Sequence, residues 1–278
     1  MYPYSIDLHL GGLSIHLYGV LMALGFMAGL ANWWAIGRSE KRDFTFCSDL
    51  LFWIMVSGIA GARVAYVAAN FADFRSSPLS ILAIWQGGLV YYGGFLTAGF
   101  AVLMYARRHG EKTTALFDFV ITSLPLAHAF GRVGCFLNGC CYGKAWRGWL
   151  AVAYPAQSAP WHDQVQAGII NRFSLRSAPV HPVQLYESAF NLLLYLLLLR
   201  VYRRRRRDGV VTALYLLTYP VARFCLEMFR GDERIRLPRM GFSVAQILSM
   251  ALFGIGGWLM IRALRQPVRS GGTGTADP

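Results

Sequence analysis

The chain of 278 residues is 55% hydrophobic and 14% aromatic, with only 15% charged residues and a formal net charge of +13. A soluble domain carries about 25% charged residues, so this composition excludes an ordinary water-solvated surface and points to an integral membrane protein. The positive charge does not point to nucleic acid: its densest run, Arg203 to Arg207, directly follows the apolar stretch Leu192 to Val201, the pattern of a cytoplasmic flank beside a spanning helix.

The first residues, MYPYSIDLHLGG, hold no Lys or Arg and no small-residue cleavage site, so they do not read as a removable signal peptide. A bilayer core takes about 20 apolar residues per helix. Scanning at that length predicts an all-α integral membrane protein with seven transmembrane helices, at 14–36, 48–69, 80–107, 114–134, 183–202, 210–230 and 242–262. Orientation follows from Lys and Arg in the short connections. None precedes the first helix and only Arg75 lies between the second and third. The alternate connections hold Arg38, Lys41 and Arg42, then Arg107, Arg108 and Lys112, then the arginine run, then Arg265 and Arg269. This pattern predicts an outside N-terminus and a cytoplasmic C-terminus. Residues 142–180 then fall outside, and with Pro155, Pro160 and Pro179 they read as a small folded head or lid. The domain organisation expected is one polytopic membrane domain over 1–265, with 142–180 as its insertion, and a disordered cytoplasmic tail over 266–278.

Three arginines lie inside these segments: Arg63 in GARVAY, Arg132 at the end of the fourth helix and Arg223 in YPVARFCLEMFR. Each costs about 2.5–3.5 kcal/mol at a helix centre on insertion scales, so each needs a partner. Acids at comparable depth are few: Glu227 first, with Glu187 and Asp118 as further candidates. Glu227 lies four residues after Arg223 and three before Arg230, on one helix face, where a local ion-pair ladder can form. Arg63 and Arg132 have no such partner nearby in sequence. An anionic ligand such as a lipid phosphate would supply it through bidentate hydrogen bonds.

The stretch from Pro125 to Gly143, PLAHAFGRVGCFLNGCCYG, gathers His128, Arg132, Asn138 and three cysteines. His128, four residues before Arg132, shares its helical face and is either a packing histidine or a base near neutral pH. Tyr18, Tyr92 and Tyr219 are interfacial anchors or core residues unless their hydroxyls point into an arginine cavity. Glycines crowd Tyr91 and Tyr92 (Gly87, Gly88, Gly93, Gly94) and Arg132 (Gly131, Gly134, Gly139, Gly143). They serve close helix contact or, the reading preferred at this stage, bring backbone up to a ligand. Cys47, Cys135, Cys140, Cys141 and Cys225 contain no C-x-x-C and form no even framework. That spacing argues against a disulfide scaffold and a standard zinc site, and no metal is expected. Thiol redox chemistry or metal binding at Cys135, Cys140 and Cys141 stands against the preferred account of small buried hydrophobes.

Seven ordered blocks resemble the bacterial prolipoprotein diacylglyceryl transferase family over nearly the whole chain. They are HLYGVLM at 16–22, GARVAYV at 61–67, WQGGLVYYGG at 85–94, GRVGCFLNGCCYG at 131–143, HPVQLYE at 181–187, YPVARFCLEMFR at 219–230 and GFSVAQILSM at 241–250. The resemblance implies seven transmembrane helices with an outward-facing head, in the bacterial cytoplasmic (inner) membrane. It implies transfer of the diacylglyceryl group of phosphatidylglycerol to the lipobox cysteine thiol of a preprolipoprotein, forming a thioether and releasing glycerol phosphate. The implied partners are phosphatidylglycerol, lipobox peptides and membrane lipid, without nucleic acid and without a cofactor. It assigns head-group binding to Arg132 and essential polar roles to Tyr18, Arg63, Asn138, Tyr219, Arg223 and Glu227.

The chain departs from the family pattern where Tyr92 stands at a position that many members fill with a histidine proposed as base. Cys135 replaces the usual asparagine, and Cys140 a common acidic residue. The mechanism expected is therefore electrostatic, with Arg132 and Arg223 on the phosphodiester and Tyr92 or His128 relaying the thiol proton. The alternatives are a non-catalytic or differently specific member of the same fold, a membrane thiol oxidoreductase on Cys135, Cys140 and Cys141, and a lipid or ion transporter.

Overall fold

The structure, a computed structural model, describes residues 7–10, 13–75, 77–232 and 241–268. A short hairpin opens it: β1 (Asp7–Leu10) pairs antiparallel with β2 (Leu13–His16), Asp7 opposite His16. The rest is helical. The elements are α1 (Leu17–Gly37), α2 (Phe44–Ala69), the single turn α3 (Phe71–Phe74), α4 (Tyr91–Arg108), α5 (Thr113–Leu137), α6 (Ala159–Gln166), α7 (Val183–Arg204), α8 (Val210–Glu227) and α9 (Val244–Arg265). Local chemistry sets several starts: the Asp43 carboxylate accepts from the Phe46 N–H at 2.8 Å, and Ser243 and Gln246 form a reciprocal capping box at α9.

Among the described residues six helices are long and apolar enough to cross a bilayer: α1, α2, α5, α7, α8 and α9. The chain is a multi-pass membrane protein. Their outer faces are apolar and exposed, as Leu192, Leu193, Leu196 and Leu197 of α7 illustrate. The third helix expected over 80–107 is corrected. Its helical part, α4, begins only at Tyr91, and two 3-10 turns (Pro78–Leu82 and Ile84–Gln86) precede it. The cause is local: Pro78 opens the first turn, and Gly87 and Gly88 hold φ of +86° and +73°, a backbone that other residues rarely adopt. A hydropathy scan counts apolar residues and passes over such breaks. Of the tail expected over 266–278, residues 269–278 lie outside the described residues.

The chain divides into two compact units, Leu30–Phe119 on one side and Met1–Gly29 with Val120–Pro278 on the other. In the Leu30–Phe119 unit, α2 and α4 meet through small residues. A Cβ on Gly93 would lie 2.6 Å from the Gly61 carbonyl oxygen, and one on Gly94 would lie 2.8 Å from that of Gly58. Thr97 Oγ1 donates to the Ser57 carbonyl at 2.8 Å across the contact. The Arg42 guanidinium ties α2's approach to the loop before α5, with Nε and Nη2 on the Glu111 carboxylate at 3.2 and 2.7 Å.

In the other unit α1 packs on α5 with the same economy. A Cβ on Gly25 would sit 3.1 Å from the Ala127 carbonyl oxygen, and one on Gly134 would sit 3.0 Å from the Tyr18 ring. Gly93, Gly94 and Gly134 therefore serve close helix contact and do not bring backbone up to a ligand, the role that their crowding around Tyr92 and Arg132 suggests. Residues 142–180 carry a small core of Tyr142, Tyr154, Ala159 and Val180, with Phe136 and Val152 against it. Gln164 of α6 closes it by bonding both the N–H and the carbonyl of Ala178.

Candidate functional site

The site begins with the stripe that α7 buries. Gln184, Glu187, Ser188 and Asn191 follow one another at helical spacing on its inner face, in a helix whose outer face is leucine. Polar side chains on the inner face of a spanning helix must find partners within the protein. Ser188 Oγ donates to the Ala129 carbonyl of α5 at 3.0 Å, which docks α7 on α5. One turn away Glu187, only 1% exposed, faces the polar end of α5.

Arg132 reaches Glu187 from α5. Its Nε lies 3.1 Å from Glu187 Oε2 and donates to His128 Nε2 at 3.0 Å. That bond makes Nε2 of His128 the acceptor and so places the ring proton of neutral His128 on Nδ1. Tyr219 of α8 adds its hydroxyl, which donates to Glu187 Oε1 at 3.5 Å, and its ring sits 5.5 Å from that of His128. Further along α8, Arg223 Nη1 pairs with Glu227 Oε2 at 2.7 Å, the local i,i+4 pair that the sequence suggested. Helices α5, α7 and α8 thus bring His128, Arg132 and Tyr219, each partly exposed, around the buried Glu187, with the Arg223–Glu227 pair one turn further along α8.

The pairing of Arg132 is one-sided. Its Nε is engaged, but among the described residues neither terminal nitrogen makes a hydrogen bond or an ion pair. The bidentate edge of the guanidinium, the edge shaped for a phosphate or carboxylate, is available to a ligand. Glu187 supplies the charge balance that sequence neighbours of Arg132 could not. In the sequence Glu187 is an acid at comparable depth but is not among the predicted site residues. The signal that finds it is the polar stripe 184, 187, 188, 191 on one face of an apolar helix.

Arg63, in α2 of the Leu30–Phe119 unit, has a different set of partners. Its Nε donates to the Ile81 carbonyl at 2.8 Å, Nη1 to those of Gly87 and Gly88 at 2.8 and 3.1 Å, and Nη2 to that of Ser80 at 2.6 Å. The loop that interrupts the expected third helix is folded around this guanidinium. Tyr92 opens α4 in the same unit and is half exposed, its ring edge-on to Tyr91.

Past the end of α5 the chain turns sharply. Cys140 N–H donates to the Cys135 carbonyl at 3.1 Å, Gly139 has φ +69°, and Cys141 has φ +62°. The turn brings the sulfurs of Cys135, Cys140 and Cys141 within 4.8 Å of one another, and all five cysteines are free thiols. Hydrogen bonds from Cys135 and Cys140, backed by the Arg230 and Arg132 guanidiniums, draw the Cys141 thiol below its ordinary range against the opposing effect of burial. Gln184 Nε2 holds the turn through the Cys140 carbonyl at 2.7 Å and meets the Tyr154 hydroxyl at 3.1 Å. Burial raises that tyrosine above its ordinary range. Arg230 forms a two-pronged pair with Asp232 at 2.9 and 2.8 Å. Burial holds the Asp232 carboxyl above its ordinary value in spite of that pair. Asn138, in the turn itself, donates its N–H to the Gly134 carbonyl at 2.9 Å. Tyr18, half exposed on α1, lies against Gly134.

Residues 5–262 match the family model of prolipoprotein diacylglyceryl transferase. Among curated proteins, three named phosphatidylglycerol–prolipoprotein diacylglyceryl transferase illustrate the similarity. The one from Synechococcus elongatus is 32% identical over 92% of this chain and 87% of its own length. That from Idiomarina loihiensis is 33% identical over 92% and 91%, and that from Paraburkholderia phymatum 30% identical over 95% and 94%. These matches run through the spanning helices, the Arg132 cluster and residues 142–180 alike, and they do not favour a thiol oxidoreductase. The chain belongs to the prolipoprotein diacylglyceryl transferase family.

Proposed function

We propose that this protein transfers the diacylglyceryl group of phosphatidylglycerol to the lipobox cysteine thiol of preprolipoproteins, forming a thioether and releasing glycerol phosphate. The observation that carries the reading is Arg132: a guanidinium only 16% exposed, set by Nε against Glu187 and His128, with both terminal nitrogens unpartnered among the described residues. The names of the similar proteins supply the substrate pair.

In this reading Arg132 grips two phosphate oxygens. Arg223, one helical turn beyond Tyr219 on α8, adds positive potential. As the C–O bond to the diacylglyceryl carbon breaks, its electron pair moves onto the phosphate, and the two guanidiniums stabilise that charge in a site shielded from water. Glu187 and Tyr219 orient Arg132, and Glu227 orients Arg223. His128 positions Arg132: its Nε2 lone pair is already taken by the Arg132 Nε–H, so it cannot accept the thiol proton there without breaking that bond. Tyr18 and Asn138 border the cluster as substrate contacts, Tyr92 remains the proton-relay candidate, and Arg63 acts by fixing the loop at 80–88. The protein works in the bacterial cytoplasmic membrane with its N-terminus and residues 142–180 outside and its C-terminus in the cytoplasm, the arrangement favoured by the Lys and Arg distribution.

The test uses purified full-length protein with defined lipid and a lipobox peptide, reading thioether product and glycerol phosphate. Both products are expected with phosphatidylglycerol and neither with a peptide in which serine replaces the cysteine. Absence of thioether with phosphatidylglycerol sinks the reading.

A further inference from the structure

Cys135 in the last turn of α5 and Cys140 and Cys141 in the turn after it lack the C-x-x-C spacing of a standard zinc site. Their geometry is that of a ligand set. A zinc–sulfur bond of ~2.3 Å in a tetrahedral site places sulfurs ~3.8 Å apart. The sulfurs of Cys135, Cys140 and Cys141 already lie within 4.8 Å of one another, so side-chain rotation closes the gap. Two further observations mark the cluster as built. Cys141 sits at φ +62°, a conformation that costs a side-chain-bearing residue roughly 1 kcal/mol or more and that persists where the surroundings impose it. The Cys140 carbonyl is held by Gln184, a residue fully buried on the polar stripe of α7, which fixes the backbone that carries the thiol.

Charge and access fit as well. Three thiolates around zinc(II) leave one net negative charge, and Arg132, one helical turn before Cys135 on α5, is placed to balance it. Each cysteine is partly exposed. Among the described residues no histidine or carboxylate completes the group, so the protein offers three ligands and leaves a fourth position open, the pattern of catalytic rather than structural zinc. Cys135 follows Arg132 by three residues on α5, hence on the same helix face, which sets the open position next to the phosphate-binding guanidinium.

We propose that Cys135, Cys140 and Cys141 form a three-thiolate zinc(II) site whose fourth position takes the incoming peptide thiol and holds it as a thiolate. The role of the fourth ligand rests on the transferase reading above. On coordination the S–H bond breaks and its proton passes to water. The sulfur then attacks the diacylglyceryl carbon, the C–O bond breaks with its electron pair going to the phosphate oxygen, and glycerol phosphate leaves, taking a proton from water. No electrons are gained or lost overall.

The experiment uses full-length protein in detergent or nanodiscs, loaded with cobalt(II) in place of zinc. A thiolate-to-cobalt charge-transfer band is expected, lost in a Cys135→Ser, Cys140→Ser, Cys141→Ser variant whose melting curve verifies that it folds. If that variant does not fold, protection of three of the chain's five thiols from a thiol reagent by zinc gives the same information. Adding lipobox peptide is expected to shift the band, while its Cys→Ser version leaves it unchanged. Chelation is expected to cut thioether formation about 100-fold, the scale of losing the group that ionises a nucleophile, with recovery on adding zinc. Absence of the band, a disulfide within the cluster in place of metal, or a band indifferent to the peptide thiol overturns the proposal. A band that shifts with peptide, in protein that makes no thioether from phosphatidylglycerol, leaves the site standing and removes the transferase reading instead.

Discussion

Arg63 and Arg132 are both guanidiniums largely withdrawn from solvent in apolar helices, and the two regions that hold them solve the same problem in opposite ways. Arg63 spends its donors on four neutral backbone carbonyls from Ser80, Ile81, Gly87 and Gly88, so its charge organises a loop and leaves little capacity for a ligand. Arg132 uses one nitrogen on a carboxylate and an imidazole, which hold its plane and leave the bidentate edge open. The lesson is that burial of a charge does not by itself mark a binding site. Which nitrogens are occupied, and by neutral or charged partners, separates a structural pin from a residue ready for an anion.

The comparison makes graded predictions. Arg132→Ala is expected to lower kcat/KM for phosphatidylglycerol about 1000-fold, the upper range for removing one group that stabilises developing charge. The melting temperature should fall as well, because Glu187 loses its charged partner, so turnover is read on the protein that stays folded, and near-normal turnover there would erase the distinction from Arg63. Arg63→Ala should act on stability alone. Stranding the loop carbonyls costs about 3 kcal/mol of stability, read as a lower melting temperature in detergent, with KM for the lipid unchanged in the protein that stays folded. A raised KM at unaltered stability would move Arg63 into the binding site.

Glu187→Gln keeps the size of the side chain beside Arg132 and removes the charge that pairs with it. A loss of roughly 30-fold in kcat/KM, with Arg132 still required, is expected from about 2 kcal/mol of lost ion pairing. His128→Ala is expected to cost about 10-fold, on the order of one hydrogen bond to a charged group, and to leave the shape of the pH–rate profile intact. Loss of one limb of that profile would instead identify His128 as the base. Tyr92→Phe carries the smallest effect, about 3-fold, within the range for losing one neutral hydrogen bond. A loss beyond 100-fold would establish it as the relay.

Much of the molecule was legible before folding. Run length and low charge located six of the spanning helices within a few residues, because a bilayer imposes a length and an apolar outer face that composition alone records. The Arg223–Glu227 pair was legible for the same kind of reason: its spacing is one helical turn, and helix geometry converts spacing into contact. The seven blocks likewise carried the family. Where the scan failed, at 80–90, apolar composition hid a Pro and two glycines whose backbone angles end a helix.

Partners distant along the chain were decided only by tertiary structure. Glu187 meets Arg132 across 55 positions because α7 docks on α5 through Ser188 and the Ala129 carbonyl. The carbonyls around Arg63 come from a loop whose path no periodicity encodes. The sulfurs of Cys135, Cys140 and Cys141 converge because the chain turns through left-handed angles at Gly139 and Cys141, whereas their spacing in sequence matches no standard ligand motif. The sequence by itself determined which residues are too polar for lipid. The packing of helices decided which of them satisfy one another and which remain available to a substrate.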